Sequence, residues 1–130
     1  MSGELKHVVI IDDEPDVVAV AQMSLETVGN LTVTTANNGM DGIKVLEQTK
    51  PDVILLDVMM PGMDGPTTFK VLRGLPELND IPVIFMTARV RPSEVDEYLA
   101  LGANGVIPKP FDPMQLTAQV TEIWERFHAK

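Results

Sequence analysis

The chain has 130 residues, 19 acidic and 10 basic, for a formal charge of −9, and contains no cysteine. That length suits one domain able to bury roughly two-thirds of its unfolded surface; the lack of cysteine excludes disulfides and thiolate metal sites, and the acidity argues against direct nucleic-acid binding, which needs clustered Lys and Arg. Residues 1–6 lack the basic-then-apolar order of a secretion signal and no apolar run approaches the roughly 18 residues of a membrane span, so a cytoplasmic protein without membrane contact is expected.

Apolar runs of four or five residues alternate with segments at helical spacing, the pattern of an α/β fold with a parallel sheet. The first run, Val8-Val9-Ile10-Ile11, ends in Asp12-Asp13-Glu14. Pro15 then suits the first turn of a helix, where a missing N–H costs nothing. Val17, Ala21, Leu25 and Val28 share one face of that helix, and Gly29 is the expected end. Leu31-Thr32-Val33-Thr34-Thr35 largely alternates apolar and polar, as an edge strand does. Asn37-Asn38-Gly39 turns the chain, Met40, Ile43 and Leu46 follow at helical spacing, and Pro51 closes that helix.

Val53-Ile54-Leu55-Leu56 then delivers Asp57; four apolar residues in a row suit a strand buried on both faces. A Pro61-Gly62 loop leads to a short helix with Phe69 and Leu72 inward. Pro82-Val83-Ile84-Phe85-Met86 is the fourth strand, with Thr87-Ala88 at its C-terminal end. Ser93 is placed to cap a helix with Val95, Tyr98 and Leu99 on its apolar face and Gly102 after it. Gly105-Val106-Ile107-Pro108 makes a short fifth strand, and its proline suggests a sheet edge. After Lys109-Pro110, Asp112 is expected to cap a last helix striped by Leu116, Val120, Ile123 and Phe127. With no repeat, linker or low-complexity segment in view, residues 1–130 read as a single domain with its core at about 6–127.

In an open parallel sheet, ligands bind beyond the carboxyl ends of the strands, where the winding reverses. Asp12, Asp13, Asp57, Thr87 and Lys109 all fall at or just past such ends. Two carboxylates about 4 Å apart repel by roughly 1–4 kcal/mol, so grouping them requires a positive partner. A hard divalent cation such as Mg²⁺ takes one or two carboxylates and keeps water or substrate phosphate in its other positions; Lys109 adds a fixed positive charge. Taken singly, these residues have plainer readings: an acidic cluster at a helix start for Asp12-Asp13-Glu14, a turn former for Asp57, a cap for Thr87, a solvated charge for Lys109. Their joint placement favours a site. His7 and His128 read as bystanders, and Met59, Met60 and Met63 as packing or hinge residues.

The motifs Ile11-Asp12-Asp13-Glu14-Pro15, Leu56-Asp57-Val58-Met59-Met60-Pro61-Gly62-Met63-Asp64-Gly65, Met86-Thr87-Ala88 and Pro108-Lys109-Pro110-Phe111 together resemble the receiver domain of two-component response regulators, over about Lys6 to Phe127. The resemblance implies a doubly wound, flavodoxin-like fold with five helices and a five-stranded parallel sheet of order 2-1-3-4-5. It implies that Asp57 is the nucleophile, taking a phosphoryl group from the phosphohistidine of a sensor histidine kinase or histidine phosphotransfer protein. Asp13, Asp57 and the backbone carbonyl of Met59 would bind Mg²⁺ directly and Asp12 through water. Thr87 would hydrogen-bond the new phosphoryl oxygen, Lys109 would pair with it, and the Lys109-Pro110 bond would be cis. A downstream protein target would dock on the face of the fourth helix, fifth strand and fifth helix.

A protein of this kind is a phosphoacceptor in a phosphorelay, not an enzyme, with only its own phosphorylation and dephosphorylation as chemistry. No output domain is expected after the last helix, so within this chain it would act by binding partners, by passing the phosphoryl group on, or by draining it. Many receivers carry Tyr or Phe three residues before the lysine; Val106 stands there, so the readout is expected through Tyr98 or the backbone of the fourth helix. An aspartyl-phosphate phosphatase would want a second Asp where Met59 stands. A flavodoxin-type cofactor binder would need a Gly-rich phosphate loop where Asp12-Asp13-Glu14 would repel phosphate. A degenerate receiver, kept only as an interaction module, is disfavoured because all five site residues are present.

Overall fold

The apolar runs of the first, third and fourth strands are buried on both sides, because side chains alternate across a strand and both faces are covered. The computed structural model describes residues 4–129; residues 1–3 and 130, which the single-domain reading includes, lie outside the described residues. In chain order the elements are β1 (His7–Ile11), α1 (Pro15–Thr27), β2 (Thr32–Ala36), α2 (Gly39–Gln48), β3 (Val53–Asp57), α3 (Gly65–Arg73), a 3₁₀ turn (Pro76–Leu78), β4 (Val83–Thr87), α4 (Pro92–Leu101), β5 (Gly105–Pro108) and α5 (Leu116–His128). The strands form one parallel sheet of order β2-β1-β3-β4-β5, with Ile11 paired to Leu56 and Asp57 to Met86. The expected flavodoxin-like, doubly wound architecture is the observed one, and β2 and β5 are its edges.

Two hydrophobic layers arise from the alternation. Val8, Ile10, Val53, Leu55, Ile84, Met86 and Ile107 face Ala21 and Leu25 of α1 and Leu116, Val120 and Trp124 of α5. Val9, Ile11, Ile54, Leu56 and Phe85 face the opposite layer, built on Leu46, Phe69, Leu72 and Tyr98 from α2, α3 and α4. Apolar burial on both faces of the central strands supplies most of the drive to fold.

Several local expectations are corrected. Helix α1 turns Val18, Ala21 and Leu25 toward the sheet, buries Ser24 against Pro113 O and leaves Val28 exposed; it ends with Val28 as C-cap, just before Gly29 as expected, and the left-handed residue beyond is Asn30 (φ 56°). Ser93 does not cap α4: the N-cap is Arg91 and Pro92 occupies the first turn, where its fixed φ fits. Glu94 accepts from the Arg91 N–H at 3.2 Å. On α4 Leu99 is 45% exposed, and on α5 Trp124 is buried while Phe127 is only half-buried. Asp112 caps a turn three residues ahead of α5: its side chain accepts from the Met114 N–H at 2.9 Å, and its carbonyl from those of Gln115 and Leu116.

Candidate functional site

The C-terminal ends of β1, β3, β4 and β5 present the polar residues. The same alternation, carried one residue past β1 and β5, points Asp12, Asp57 and Lys109 to the side of the sheet that holds α1 and α5. Asp12 is held by its N–H donating to Ala36 O at 3.0 Å and by its Oδ1 accepting from the Glu14 N–H at 2.8 Å. Asp57 is held by Val58 N–H donating to Met86 O at 3.1 Å and by Gly65 N–H donating to Val58 O at 2.9 Å, which seats α3 directly on the strand end. Gly65 leaves no alternative: a Cβ there would lie 2.4 Å from Asp57 O.

Lys109 reaches into this group. Its backbone N–H donates to Thr87 O at 2.9 Å, and its Nζ lies 2.8 Å from Asp12 Oδ2, 3.0 Å from Asp57 Oδ1 and 3.1 Å from Glu14 Oε1. Asp12 and Asp57 are buried, at 0% and 2% exposure. Carboxylate oxygens of Asp12, Asp13, Glu14 and Asp57 all lie within 4.8 Å of one another. Asp57 Oδ1 also accepts from the Met59 N–H at 3.3 Å, whereas Asp57 Oδ2 and Asp13 Oδ1 are buried without a hydrogen-bond partner. Unpartnered buried carboxylate oxygens are costly, and their presence in a tight set marks a place for a positive group. An open cleft of about 620 Å³, lined by Asp12, Asp13, Pro15, Ala36 and Lys44, adjoins them.

Burial pushes the Asp57 carboxyl up to about 6, assisted by the charge on Asp12 and opposed by its contact with Lys109. Burial alone would lower Lys109, but its contacts with Asp12 and Asp57 outweigh that and hold its pKa above the ordinary lysine value. At neutral pH Lys109 is therefore charged, and Asp57 gives up its negative charge to a proton more readily than an ordinary aspartate.

Of the residues that the sequence marks as candidates, Asp12, Asp13, Asp57 and Lys109 converge. Thr87 is buried at the end of β4 but on the other parity of that strand, and its Oγ1 accepts from the Arg89 N–H at 2.9 Å. Its observed link to the site is its carbonyl, which holds Lys109. Met59 contributes its backbone N–H, and its side chain is exposed. The Lys109-Pro110 bond is cis. Glu14 is a site residue that the strand-end rule misses, although a signal is present: a residue before proline is driven to extended backbone, and here φ −97° and ψ 106° accompany a carboxylate that reaches Lys109.

Residues 8–121 match the family model described as response regulator receiver domain. The alkaline phosphatase synthesis transcriptional regulatory protein PhoP of Bacillus subtilis is 36% identical over 121 residues, covering 93% of this chain and 49% of that protein. The transcriptional regulatory protein CseB of Streptomyces avermitilis is 33% identical over 125 residues, covering 96% and 52%. The chain thus spans about half the length of the curated relatives it matches. Among solved structures, chemotaxis protein CheY4 of Vibrio cholerae superposes with a TM-score of 0.85 at 28% identity, covering 92% of this chain and 99% of that one. The signal receiver domain of a signal transduction histidine kinase from Syntrophus aciditrophicus gives a TM-score of 0.81 at 32% identity, covering 93% and 91%.

Proposed function

This chain belongs to the response regulator receiver domain family, and from that premise we propose that Asp57 accepts a phosphoryl group from a phosphohistidine of a sensor histidine kinase or histidine phosphotransfer protein. The observation that carries this reading is the asymmetry of the Asp57 carboxylate: Oδ1 lies 3.0 Å from the Lys109 ammonium while the buried Oδ2 has no partner. Attack by Oδ1 brings the incoming phosphoryl oxygens next to Lys109. The Asp57 O–P bond forms as the donor's P–N bond breaks, and the imidazole nitrogen leaves with the electron pair. Lys109 shifts from the carboxylate to the phosphoryl group and neutralises its charge, which is most of what phosphoryl transfer asks of a protein. The Thr87 hydroxyl, accepting from Arg89, keeps its own hydrogen for a phosphoryl oxygen.

The donor set fits Mg²⁺, a hard cation that prefers carboxylate and carbonyl oxygen. Asp13 and Asp57 would hold it through their unpartnered oxygens, with the Met59 carbonyl as a further ligand and Asp12 acting through water. When bound, it supplies positive charge against the acidic cluster and the phosphoryl oxygens. The module's own chemistry ends with gain and loss of its phosphoryl group; its output is a change in partner binding. A groove lined by Leu99 and Ala103 near α4 and by Ile123 and Phe127 of α5 supports a docked protein on the α4-β5-α5 face. The transcriptional-regulator names of the curated relatives support a DNA-binding effector as the eventual output.

Incubation with Mg²⁺ and acetyl phosphate, followed by intact-mass measurement, tests the reading. The native chain gains one phosphoryl group and Asp57→Asn gains none. An unlabelled native chain would overturn it.

A further inference from the structure

Glu14 occupies the N-cap of α1, a position where a side chain ordinarily accepts a helix N–H, yet it makes no such bond. Its carboxylate instead lies 3.1 Å from Lys109 Nζ, at the solvent-facing mouth of the site, with 58% side-chain exposure. An ammonium has three N–H donors, and here Asp12, Asp57 and Glu14 offer three carboxylates to them. A phosphoryl group on Asp57 can pair with Lys109 only if one of these contacts weakens. Asp12 is fully buried and tied by its other oxygen to the Glu14 N–H, so it stays.

We propose that Glu14 is a positioning residue that sets the resting place of Lys109 and competes with the phosphoryl group for it. The inference rests on the phosphoacceptor reading and adds a brake to it. Glu14 has two opposed effects on one site. Its negative charge, within 4.8 Å of the Asp12, Asp13 and Asp57 oxygens, favours a bound cation. The same charge holds Lys109 back and repels the dianionic phosphoryl group. Its removal therefore weakens Mg²⁺ binding while easing phosphorylation once Mg²⁺ is saturating, a split that a merely structural role would not produce.

The test is calorimetric titration with Mg²⁺ alone, paired with the rate of labelling by acetyl phosphate at saturating Mg²⁺, followed by intact mass. In labelling, the Asp57 O–P bond forms as the donor's P–O bond breaks and acetate leaves with the electron pair. Glu14→Gln is expected to bind Mg²⁺ about threefold more weakly and to label about threefold faster, the scale of an exposed ion pair. Glu14→Asp keeps the charge but withdraws it from the ammonium by one methylene; it is expected to restore Mg²⁺ affinity while still labelling faster than the native chain. A native chain that labels, with Glu14→Gln labelling at the same rate or more slowly, overturns the inference alone. A native chain that takes no label overturns the phosphoacceptor reading and this inference with it.

Discussion

Lys109 donates to Asp57 Oδ1 at 3.0 Å, joining the end of β5 to the end of β3 across the intervening β4. The same ammonium lies 2.8 Å from Asp12 Oδ2, so one lysine pairs with two buried carboxylates from the ends of different strands. Removing it leaves both facing each other in a poorly solvated site. Lys109→Met is expected to destabilise the metal-free protein by about 3 kcal/mol at neutral pH, in the range for breaking a buried pair on one side. Added Mg²⁺ should recover much of that, because a ligand that binds only the folded state stabilises it. Urea unfolding with and without Mg²⁺ checks this; a variant as stable as the native chain without metal would contradict it.

The Asp57 carboxyl, raised from 3.8 to about 6, sets a pH dependence of unusual sign. The groups around it are Asp12, Asp13 and Glu14, which are acidic, and Lys109, which is cationic. Because the folded state binds this proton more tightly than the unfolded chain, the group favours folding most below pH 3.8 and loses that advantage as pH rises toward about 6. Above pH 6 the ionised form costs about 3 kcal/mol relative to an unperturbed aspartate. A carboxyl-carbon NMR titration of the metal-free protein should show a midpoint near 6, moved down by Mg²⁺. A midpoint near 4 without metal would refute the assignment.

Gly65 and Gly62 separate close packing from backbone strain. A Cβ at Gly65 would meet Asp57 O at 2.4 Å and Val58 Cα at 2.7 Å, both backbone atoms that cannot swing aside. At Gly62 nothing lies within 4 Å, but φ is +76°. Gly65→Ala should cost about 2 kcal/mol or more through overpacking and slow acetyl phosphate labelling by displacing Asp57. Gly62→Ala should cost about 1 kcal/mol from the left-handed backbone alone and label normally. Thermal unfolding and intact mass, measured together, discriminate the two; equal labelling in both variants would remove Gly65 from the site's support.

Val106 pairs with Phe85 in the sheet, and Phe85 packs edge-on against Tyr98 at 5.6 Å and against Phe69 at 5.5 Å. Thr87 lies two residues along β4 from Phe85, on the same face. A shift of Thr87 on phosphorylation is therefore expected to reach Tyr98 and α4 more than β5. NMR spectra of the native chain before and after labelling should place the largest changes away from the site at Tyr98 and its helix. Unchanged Tyr98 signals in a fully labelled sample would exclude this route.

The sequence by itself determined the layered α/β architecture, because short apolar runs between helical repeats have few ways to bury both faces. It also located the ends of the strands where Asp12, Asp13, Asp57 and Lys109 emerge, since a strand's end is a local property of the chain. Which acids share the lysine was a different matter. Glu14, Asp12 and Asp57 meet at Lys109 through contacts spanning 52 to 97 positions, set by strand order and by the turn that Pro15 imposes. Local pattern likewise misplaced the caps of α4 and α5 and the inward side of α1, because Pro92, the turn after Asp112 and the packing of Ser24 against Pro113 O override helical periodicity. Only the tertiary structure decided that Thr87 holds Lys109 through its carbonyl and that one oxygen of Asp57 is left without a partner, since both depend on atoms brought together by folding and not on residue order.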